Sequence, residues 1–313
     1  MQKAVITAAA RNERLYPAAT TVQKSMLPVI DVDGINKPII QIIAEEAFQS
    51  GIEELCIVCA AGDEERYRES FQTLCETSQK LYPHKSSSVP QAQNIKTMLD
   101  RLTFVVQAEP RGYGHAVYQA KEFVKNEPFL LLHGDYLYTS SLLHKRCSRQ
   151  IIELAEHEHC SVAAVNPTLE HLIGKYGTLT GRNYKNLNGV YQIEKIVEKP
   201  SVSQAELELK TAGLRAGFYL CFFGMYVFQP ILFDLLTEEL KTDSGGPILL
   251  TPVQQKLAEQ EKYLALEIQG KRYDTSKIFG LFQAQLALGL AGQLRDEVLT
   301  TLLQTLADYR KES

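Results

Sequence analysis

The sequence lacks any apolar run of the roughly 18 residues that a membrane-spanning helix needs. Its longest apolar stretch, 218–228, is interrupted by Gly224 and is typical of a buried strand. The opening residues Met1–Thr7 give too short an apolar run for a targeting peptide. We therefore expect a cytoplasmic protein that does not bind membranes.

An excess of positive charge is also missing, because 33 lysines and arginines face 37 acidic residues and leave a net charge of -4. Nucleic acids and anionic membranes require a basic surface, so we expect neither as a partner. A composition of 45% hydrophobic and 22% charged residues is that of a globular protein. The 313 residues fit one large domain with insertions.

The six cysteines include one C-x-x-C pair, Cys56 and Cys59, but no second ligand pair at zinc spacing follows it. Cys56 and Cys59 lie in a strand-like run in which they face opposite sides, which disfavours a redox or metal role. The segment 157–160 combines His, Glu, His and Cys, but no second ligand pair follows it. The favoured interpretation of that segment is a helix end leading into a strand.

Short apolar strands alternate with amphipathic helices through the first half of the chain, which predicts a largely parallel sheet covered by helices on both faces. After Gly177 the strands follow one another closely and predict a smaller β lobe laid over that sheet. Residues 80–97 contain two prolines and three serines and are expected to form an exposed, mobile insertion. The predicted strands are 3–8, 54–59, 102–107, 129–133, 161–165, 177–181, 190–197, 215–228 and 263–269, and the predicted helices are 38–50, 63–79, 114–125, 142–157 and 278–309, with two more near Pro230 and Ile248.

The polar loop after the first strand carries Arg11, Arg14 and Lys24. In an α/β sheet, ligands bind beyond the carboxyl ends of the strands. Arginine presents a fork suited to phosphate oxygens and lysine adds a point charge, so the loop is a candidate phosphate site. A solvated surface loop is the alternative.

Two glycines, Gly112 and Gly114, open a helix shortly after a predicted strand that ends at Gln107. Bare backbone at such a place can contact a base or a phosphate. Gly112, Gly114 and Asp135 also imitate a dinucleotide-binding fingerprint. That interpretation is disfavoured, because Val117 replaces the third glycine and four residues separate the strand from Gly112.

Asp135 comes almost directly after the buried strand 129–133. An unpaired buried carboxylate is costly, and one or two carboxylates completed by phosphate oxygens suit Mg²⁺. Asp274 precedes the last helical region and is either a second metal ligand or a helix N-cap.

In this order the motifs resemble those of the sugar-phosphate nucleotidyltransferase family, on its uridylyl branch, over nearly the whole chain. The long insertion 64–101 resembles that of the uridylyl branch more than the compact form of the thymidylyl branch. The resemblance is carried by Arg14, Lys24, Met26-Leu27-Pro28, Asn36-Lys37-Pro38, Gly112-Tyr113-Gly114-His115-Ala116, Asp135, Lys175-Tyr176-Gly177, Val197-Glu198-Lys199-Pro200 and Asp274.

The resemblance implies an enzyme that joins a sugar 1-phosphate, with glucose 1-phosphate expected, to UTP and releases pyrophosphate with Mg²⁺ as cofactor. It implies a Rossmann-like, GT-A-like mixed and mostly parallel sheet within one domain, 1–313, and a homo-oligomer. Residues 1–165 would bind the nucleotide, 166–275 the sugar, and 276–313 would form terminal helices. The implied roles are nucleotide binding by Ala9, Ala10, Gln107, Gly112, Gly114 and His115, contact with the departing phosphates by Arg14 and Lys24, sugar binding by Gly177, Glu198 and Lys199, and metal binding by Asp135 and Asp274.

The chain departs from the family pattern in the first loop. The two family glycines fall at Ala10 and Asn12, and the threonine falls at Glu13. A methyl group at Ala10 and a carboxylate at Glu13 both work against a triphosphate. A non-catalytic or weakly active sugar-nucleotide-binding regulatory protein on the same fold is therefore the alternative function.

Overall fold

The computed structural model describes residues 1–10, 15, 22–81, 88–242 and 245–312. The chain forms two compact units, each assembled from separate stretches of sequence. The first contains Met1–Ala10, Ala47–His133 and Ser148–Ile268, and the second contains Arg11–Glu46, Gly134–Cys147 and Gln269–Ser313. These boundaries cut across the predicted segments 1–165, 166–275 and 276–313, whose division by function remains a prediction.

Thirteen strands occur in the described residues, and most lie within one or two residues of a predicted strand. They are β1 (Lys3–Thr7), β2 (Pro28–Ile30), β3 (Asn36–Pro38), β4 (Glu54–Ala60), β5 (Leu102–Gln107), β6 (Phe129–His133), β7 (Tyr136–Ser140), β8 (Ser161–Leu169), β9 (Gly177–Asn183), β10 (Val190–Glu198), β11 (Phe218–Phe228), β12 (Tyr263–Glu267) and β13 (Gly270–Asp274).

The same part of the chain contains eleven α-helices and two short 3₁₀ helices, Lys24–Met26 and Glu170–Lys175. None of the described helices is long and apolar enough to cross a membrane. The α-helices are α1 (Ile39–Phe48), α2 (Asp63–Leu81), α3 (Ser88–Leu99), α4 (Tyr113–Tyr118), α5 (Lys121–Val124), α6 (Cys147–Glu158), α7 (Val202–Glu208), α8 (Ile231–Thr242), α9 (Leu250–Gln260), α10 (Gly280–Ala291) and α11 (Arg295–Glu312).

The first unit is built on a nine-stranded sheet with the order β5-β4-β1-β6-β11-β8-β12-β10-β9. This confirms a mixed α/β fold, but four strand pairings are parallel and five are antiparallel, so the expectation of a mostly parallel sheet holds for only part of it. Strands β1, β4, β5 and β6 form one continuous parallel part. The apolar side chains on one face of this part pack with those of α4, α8 and α9 in one core.

The strands that were expected to form a separate β lobe instead extend the main sheet. β10 pairs with β12, and β9 pairs with both β10 and β11, so the sheet curls back on itself at this end. The sequence predicted strands in this region, but it could not predict which strands they pair with. Two predicted helices also differ, because 114–125 is divided into α4 and α5 and the helix expected from residue 142 begins at Cys147.

The prediction of a mobile insertion at 80–97 is wrong for the described part of that segment. α2 continues to Leu81, and α3 occupies Ser88–Leu99, while residues 82–87 lie outside the described chain. Ala92, Ile95 and Met98 are buried, and α3 packs on α2. Their spacing of three residues places them on one face of a helix, a pattern that the flanking serines and Pro90 concealed.

The second unit contains two small antiparallel ribbons, β2–β3 and β7–β13, on which α10 packs. Lys37, from the Asn-Lys-Pro motif, is buried within this unit and forms ion pairs with Asp31, Asp33 and Glu45 at 2.6–2.8 Å. Burial alone lowers the pKa of Lys37, but Glu45, Asp31 and Asp33 outweigh burial and raise it well above its usual value. The motif therefore has a structural role here.

In the first unit, Glu158 joins three separate elements at the end of α6. Its carboxylate accepts hydrogen bonds from the Tyr184 hydroxyl at 2.6 Å, from the Lys185 ammonium at 3.0 Å and from the Lys262 ammonium at 3.1 Å. The bond from Tyr184, followed by those from the two lysines, lowers the pKa of Glu158 to about 2. The metal interpretation of 157–160 is thus not supported, because lysines occupy the carboxylate.

This cluster predicts a loss of stability in the variant Glu158→Gln. The folded-state pKa of Glu158, about 2, lies below the usual 4.5, so its contribution is complete above pH 4.5 and is lost as pH falls towards 2. We expect a lower melting temperature for the variant at pH 7 and a difference from the unmodified protein that shrinks between pH 4.5 and 3. Glu208→Gln, which removes an exposed pair with Lys195, is the control and should have little effect. A difference that is the same at pH 7 and pH 3 contradicts the assignment.

Candidate functional site

The two aspartates predicted as metal ligands are brought together in the second unit. Asp135 lies in the turn between β6 and β7, and Asp274 is the last residue of β13, opposite Tyr136 in the β7–β13 ribbon. Thr275, which is buried, donates hydrogen bonds from its amide at 2.9 Å and from its hydroxyl at 2.8 Å to the main-chain carbonyl of Asp135. The two aspartates are far apart in the sequence, and the pairing of β7 with β13 brings their backbone positions together.

Each of the two carboxylates is held by neighbouring donors. An oxygen of Asp135 lies 2.6 Å from the Lys24 ammonium, and the side chains are only 17% and 10% exposed. Asp274 accepts hydrogen bonds from the Ser276 amide at 3.0 Å and from the Ser276 hydroxyl, and its second oxygen lies 3.4 Å from the Lys277 ammonium. Lys24, predicted as a phosphate ligand, therefore belongs to the same cluster as the predicted metal ligands.

The alternative role of Asp274 as a helix N-cap is not what the structure shows. α10 begins at Gly280, and its N-cap is Phe279. Asp274 instead accepts the amide of the second residue along the chain, which forms an Asx-type turn. The helix start therefore does not account for this carboxylate.

The cluster offers the chemistry that Mg²⁺ prefers, because Mg²⁺ takes oxygen ligands and is usually held by one or two carboxylates together with substrate phosphates and water. Asp135 and Asp274 supply two such groups from one ribbon end. Among the described residues there is no group of three or more His, Cys, Asp or Glu side chains able to hold a metal ion. The arrangement thus fits a cation shared with a phosphate ligand better than a fully protein-bound one.

In the first unit, the predicted nucleotide loop has its own structural reason for two glycines. Gly112 has φ +93°, and a Cβ there would lie 2.6 Å from the carbonyl oxygen of Ile248. At Gly114 a Cβ would lie 3.0 Å from the Ile248 side chain, and the Gly114 amide donates to the Ile248 carbonyl at 2.9 Å. The chain's own backbone, rather than a ligand, is the close neighbour that requires these glycines. Five residues separate the end of β5 at Gln107 from the start of α4 at Tyr113, which further disfavours a dinucleotide fingerprint.

Gln107 and His115 meet in this loop. The Gln107 side-chain amide donates to the Gly112 carbonyl at 3.2 Å and lies 3.0 Å from Nδ1 of His115. The Gln119 amide lies 3.0 Å from the other ring nitrogen. These contacts fix the orientation of the Gln107 and His115 side chains, as recognition of a nucleobase edge by hydrogen bonds requires.

The predicted sugar-binding residues also come together in the first unit. Glu198 ends β10 opposite Gly177 of β9, where a Cβ would lie 3.1 Å from the Glu198 carboxylate and 2.8 Å from the Phe222 ring. The Glu198 carboxylate accepts a hydrogen bond from the Thr251 hydroxyl at 2.6 Å and lies 3.4 Å from the Lys199 ammonium. Lys199 has φ +47°, and its amide donates to the Tyr176 carbonyl at 3.2 Å. A lysine in this sparsely populated conformation is held by its surroundings, as at many ligand sites.

The remaining predicted residues have simpler outcomes. Ala9 is buried and Ala10 exposed at the carboxyl end of β1, whereas Arg14 lies outside the described residues. All six cysteines fall in the described part of the chain and are free thiols. Burial raises the pKa of both Cys56 and Cys59 to about 12, so neither is a reactive thiolate at neutral pH.

Several residues of these clusters were not predicted from the sequence. Thr275 and Ser276 position the two aspartates, Thr251 holds Glu198, and Ile248 packs on the glycine loop. The adjacency of Thr275 and Ser276 to Asp274 was a usable signal, because small hydroxyl residues beside a functional carboxylate commonly donate to it. No local signal pointed to Thr251, which lies far along the chain from its partner.

The comparisons with known proteins identify the family of the chain. Residues 3–289 match the nucleotidyl transferase family. The chain is 32% identical over 307 residues to UTP–glucose-1-phosphate uridylyltransferase 2 of Streptococcus pyogenes serotype M3, covering 97% of this chain and 96% of that protein. It is also similar to the crystal structure of a UDP-glucose pyrophosphorylase complexed with UDP-glucose (TM-score 0.73, 26% identity, 92% of this chain and 98% of that one). A third match is the UTP-bound UGPase from Acinetobacter baumannii (TM-score 0.75, 25% identity, 97% and 99%). With its motifs, fold and sequence in agreement over nearly its full length, the chain belongs to the nucleotidyl transferase family.

Proposed function

We propose that the protein transfers the uridylyl group of UTP to glucose 1-phosphate and releases UDP-glucose and pyrophosphate. The observation that carries this proposal is the Asp135–Asp274 pair, which Thr275 holds beside Lys24. The relatives named above support the choice of substrates, since one is named for UTP and glucose 1-phosphate and the two solved structures hold UDP-glucose and UTP.

Mg²⁺ is the proposed cofactor, held by Asp135 and Asp274. When bound, it would neutralise charge on the phosphates of the nucleotide. The Lys24–Asp135 ion pair is matched to a ligand that carries both charges, because the carboxylate would face the cation and the ammonium a phosphate. Lys24 and Arg14 are accordingly assigned to the β- and γ-phosphates.

The residues of the first unit are assigned to the base and the sugar. Gln107 and His115 present hydrogen-bonding groups to the uracil edge, and Gly112 and Gly114 fix the shape of that loop. Glu198 accepts hydrogen bonds from sugar hydroxyls, Gly177 leaves room beside its carboxylate, and Lys199 pairs with the sugar phosphate.

The proposed reaction is a single in-line displacement. An oxygen of the sugar phosphate attacks the α-phosphorus, and the bond from that phosphorus to the bridging oxygen of the β-phosphate breaks. Pyrophosphate leaves with the electron pair. Lys199 orients the attacking phosphate, and Lys24 and Arg14 stabilise the charge on the departing group, so positioning and electrostatics supply most of the catalysis.

The direct test is release of pyrophosphate from UTP and glucose 1-phosphate with Mg²⁺. We expect turnover with this pair and much less with other nucleotides or sugar phosphates. Absence of turnover across several pairs overturns the enzyme assignment. The cytoplasmic location and the homo-oligomer remain predictions, which fractionation and light scattering would test.

The metal assignment predicts that Asp135→Asn and Asp274→Asn each lower kcat by about 10²–10³, because each removes a charge-stabilising group. Both variants should also lose the thermal stabilisation given by Mg²⁺ with UTP. Asp234→Asn, at an exposed position in the first turn of α8, is the matched control and should behave like the unmodified protein. If either Asp135→Asn or Asp274→Asn keeps more than roughly a tenth of the activity, that aspartate is not a metal ligand. Such a variant would have lost only ~1.4 kcal/mol of transition-state stabilisation, which is too little for the loss of a ligand.

The sugar-side assignment predicts that Lys199→Ala raises the KM for glucose 1-phosphate and lowers kcat, while UTP affinity stays nearly constant. Removal of an ammonium that pairs with the sugar phosphate weakens the binding of glucose 1-phosphate only. Steady-state kinetics and calorimetry with UTP alone provide the measurements. Lys195→Ala removes an exposed lysine of β10 that pairs with Glu208, and is the control. A large loss of UTP affinity in Lys199→Ala would reassign the residue to the nucleotide.

A second candidate function, that of a sugar-nucleotide-binding regulatory protein, rests on Ala10, Asn12 and Glu13 in the first loop. The last two lie outside the described residues. We expect a working enzyme with a high KM for UTP, and a lower KM in the triple variant Ala10→Gly, Asn12→Gly, Glu13→Thr. The measurement is a UTP titration of both proteins. Activity in the triple variant alone would favour the regulatory function.

A further inference from the structure

The start of α9 contacts both of the predicted substrate-binding loops of the first unit. On one side, Ile248 forms two backbone hydrogen bonds with the glycine loop. Its amide donates to the Arg111 carbonyl at 2.8 Å, and its carbonyl accepts from the Gly114 amide at 2.9 Å. Because Gly112 and Gly114 have no Cβ, the two backbones approach closely: a Cβ at Gly112 would collide with the Ile248 carbonyl oxygen, and one at Gly114 would lie in tight contact with Ile248.

On the other side, the same segment holds the sugar-side strand. The Thr251 hydroxyl donates to the Glu198 carboxylate at 2.6 Å, and the Gln255 side chain accepts the Ile196 amide at 2.7 Å. Ile248 and Thr251 are three residues apart at a helix start, where the rise is about 1.5 Å per residue. Leu250, Val253 and Leu257 anchor the helix in the core.

The Glu198 carboxylate depends on this contact for its position. Glu198 is 38% exposed, and among the described residues its carboxylate also pairs with Lys199 at 3.4 Å, a longer distance than the 2.6 Å to Thr251. A short hydrogen bond to a charged acceptor is among the stronger ones in proteins. It occupies Oε2 and leaves Oε1 with Lys199.

We propose that residues 248–255 set the spacing between the base-binding loop and the sugar-binding carboxylate, and that Thr251 is a positioning residue for Glu198. The inference rests on the proposed function, which assigns the two loops to UTP and glucose 1-phosphate. The proposal gives Thr251 a role in the site that neither the sequence motifs nor the names of the relatives assign to it.

The experiment compares Thr251→Val, Thr251→Ala and Thr251→Ser by steady-state kinetics on the full chain. Valine keeps the shape of threonine but removes the donor, so we expect about a tenfold rise in the KM for glucose 1-phosphate, with kcat and the KM for UTP changed by less than about threefold. Serine keeps the hydroxyl and should restore the KM. Alanine keeps the proposal testable if valine does not fold. Thr300→Val, on the exposed face of α11, is the matched control.

A second measurement separates positioning from general packing. In a Glu198→Gln background, Thr251→Val should add less than about twofold to the KM for glucose 1-phosphate, because the charged acceptor is already gone. Equal effects of Thr251→Val in both backgrounds, or an unchanged KM in active single variants, overturn the positioning role and leave the proposed function intact. Absence of turnover in the unmodified chain overturns the proposed function itself, and the role of Thr251 falls with it.

Discussion

The hydrogen bonds from Thr275 to the main-chain carbonyl of Asp135 join two positions separated by 140 residues, and the candidate metal cluster depends on them. They continue the pairing of β7 with β13 by one residue and so fix the register at which Asp274 stands opposite Tyr136. The chain then turns sharply into α10. Gly280 closes this turn, since a Cβ there would lie 1.9 Å from the Asp274 carbonyl oxygen. The position of each carboxylate is thus set by the backbone around it.

The sequence predicts the central strands of the main sheet well because they carry continuous runs of buried apolar residues. β1, β4 and β6 each carry at least four consecutive buried residues, and such runs between turn residues leave few alternatives. β7 and β13 were not predicted as separate strands, because each has only five residues and a largely half-buried pattern. Their ribbon is defined by mutual pairing, which is a property of tertiary structure. The helix α3 was missed for a different reason, since the flanking serines and Pro90 concealed the three-residue spacing of its buried positions.

The candidate residues were found mainly through resemblance, and the structure changes the physical reason for some of them. Gly112 and Gly114 were selected as bare backbone for a ligand, whereas their immediate neighbour is Ile248. A glycine pattern therefore records a close approach without saying which group approaches. Glu198 and Gly177, both assigned to the sugar, lie opposite each other on β10 and β9, but the donor Thr251 comes from a helix more than fifty residues away. Motifs locate the groups that meet a substrate, whereas the residues that orient those groups come from the fold.

The small number of carboxylates bears on which cation the cluster can use. Asp135 and Asp274 already have lysine and serine donors, and the described residues provide no third His, Cys, Asp or Glu ligand nearby. A cation bound here would complete its shell from phosphate oxygens and water. Mg²⁺ accepts such a shell because it retains water and binds few protein oxygens, whereas Ca²⁺ takes six to eight oxygen ligands and structural Zn²⁺ takes nitrogen and sulfur ligands. The Lys24 ammonium pairs with the Asp135 carboxylate, so a cation that binds without a nucleotide would have to displace that ammonium. A cation that arrives with a triphosphate brings the anion that the ammonium can accept, so the cluster favours the metal–nucleotide complex over the free metal.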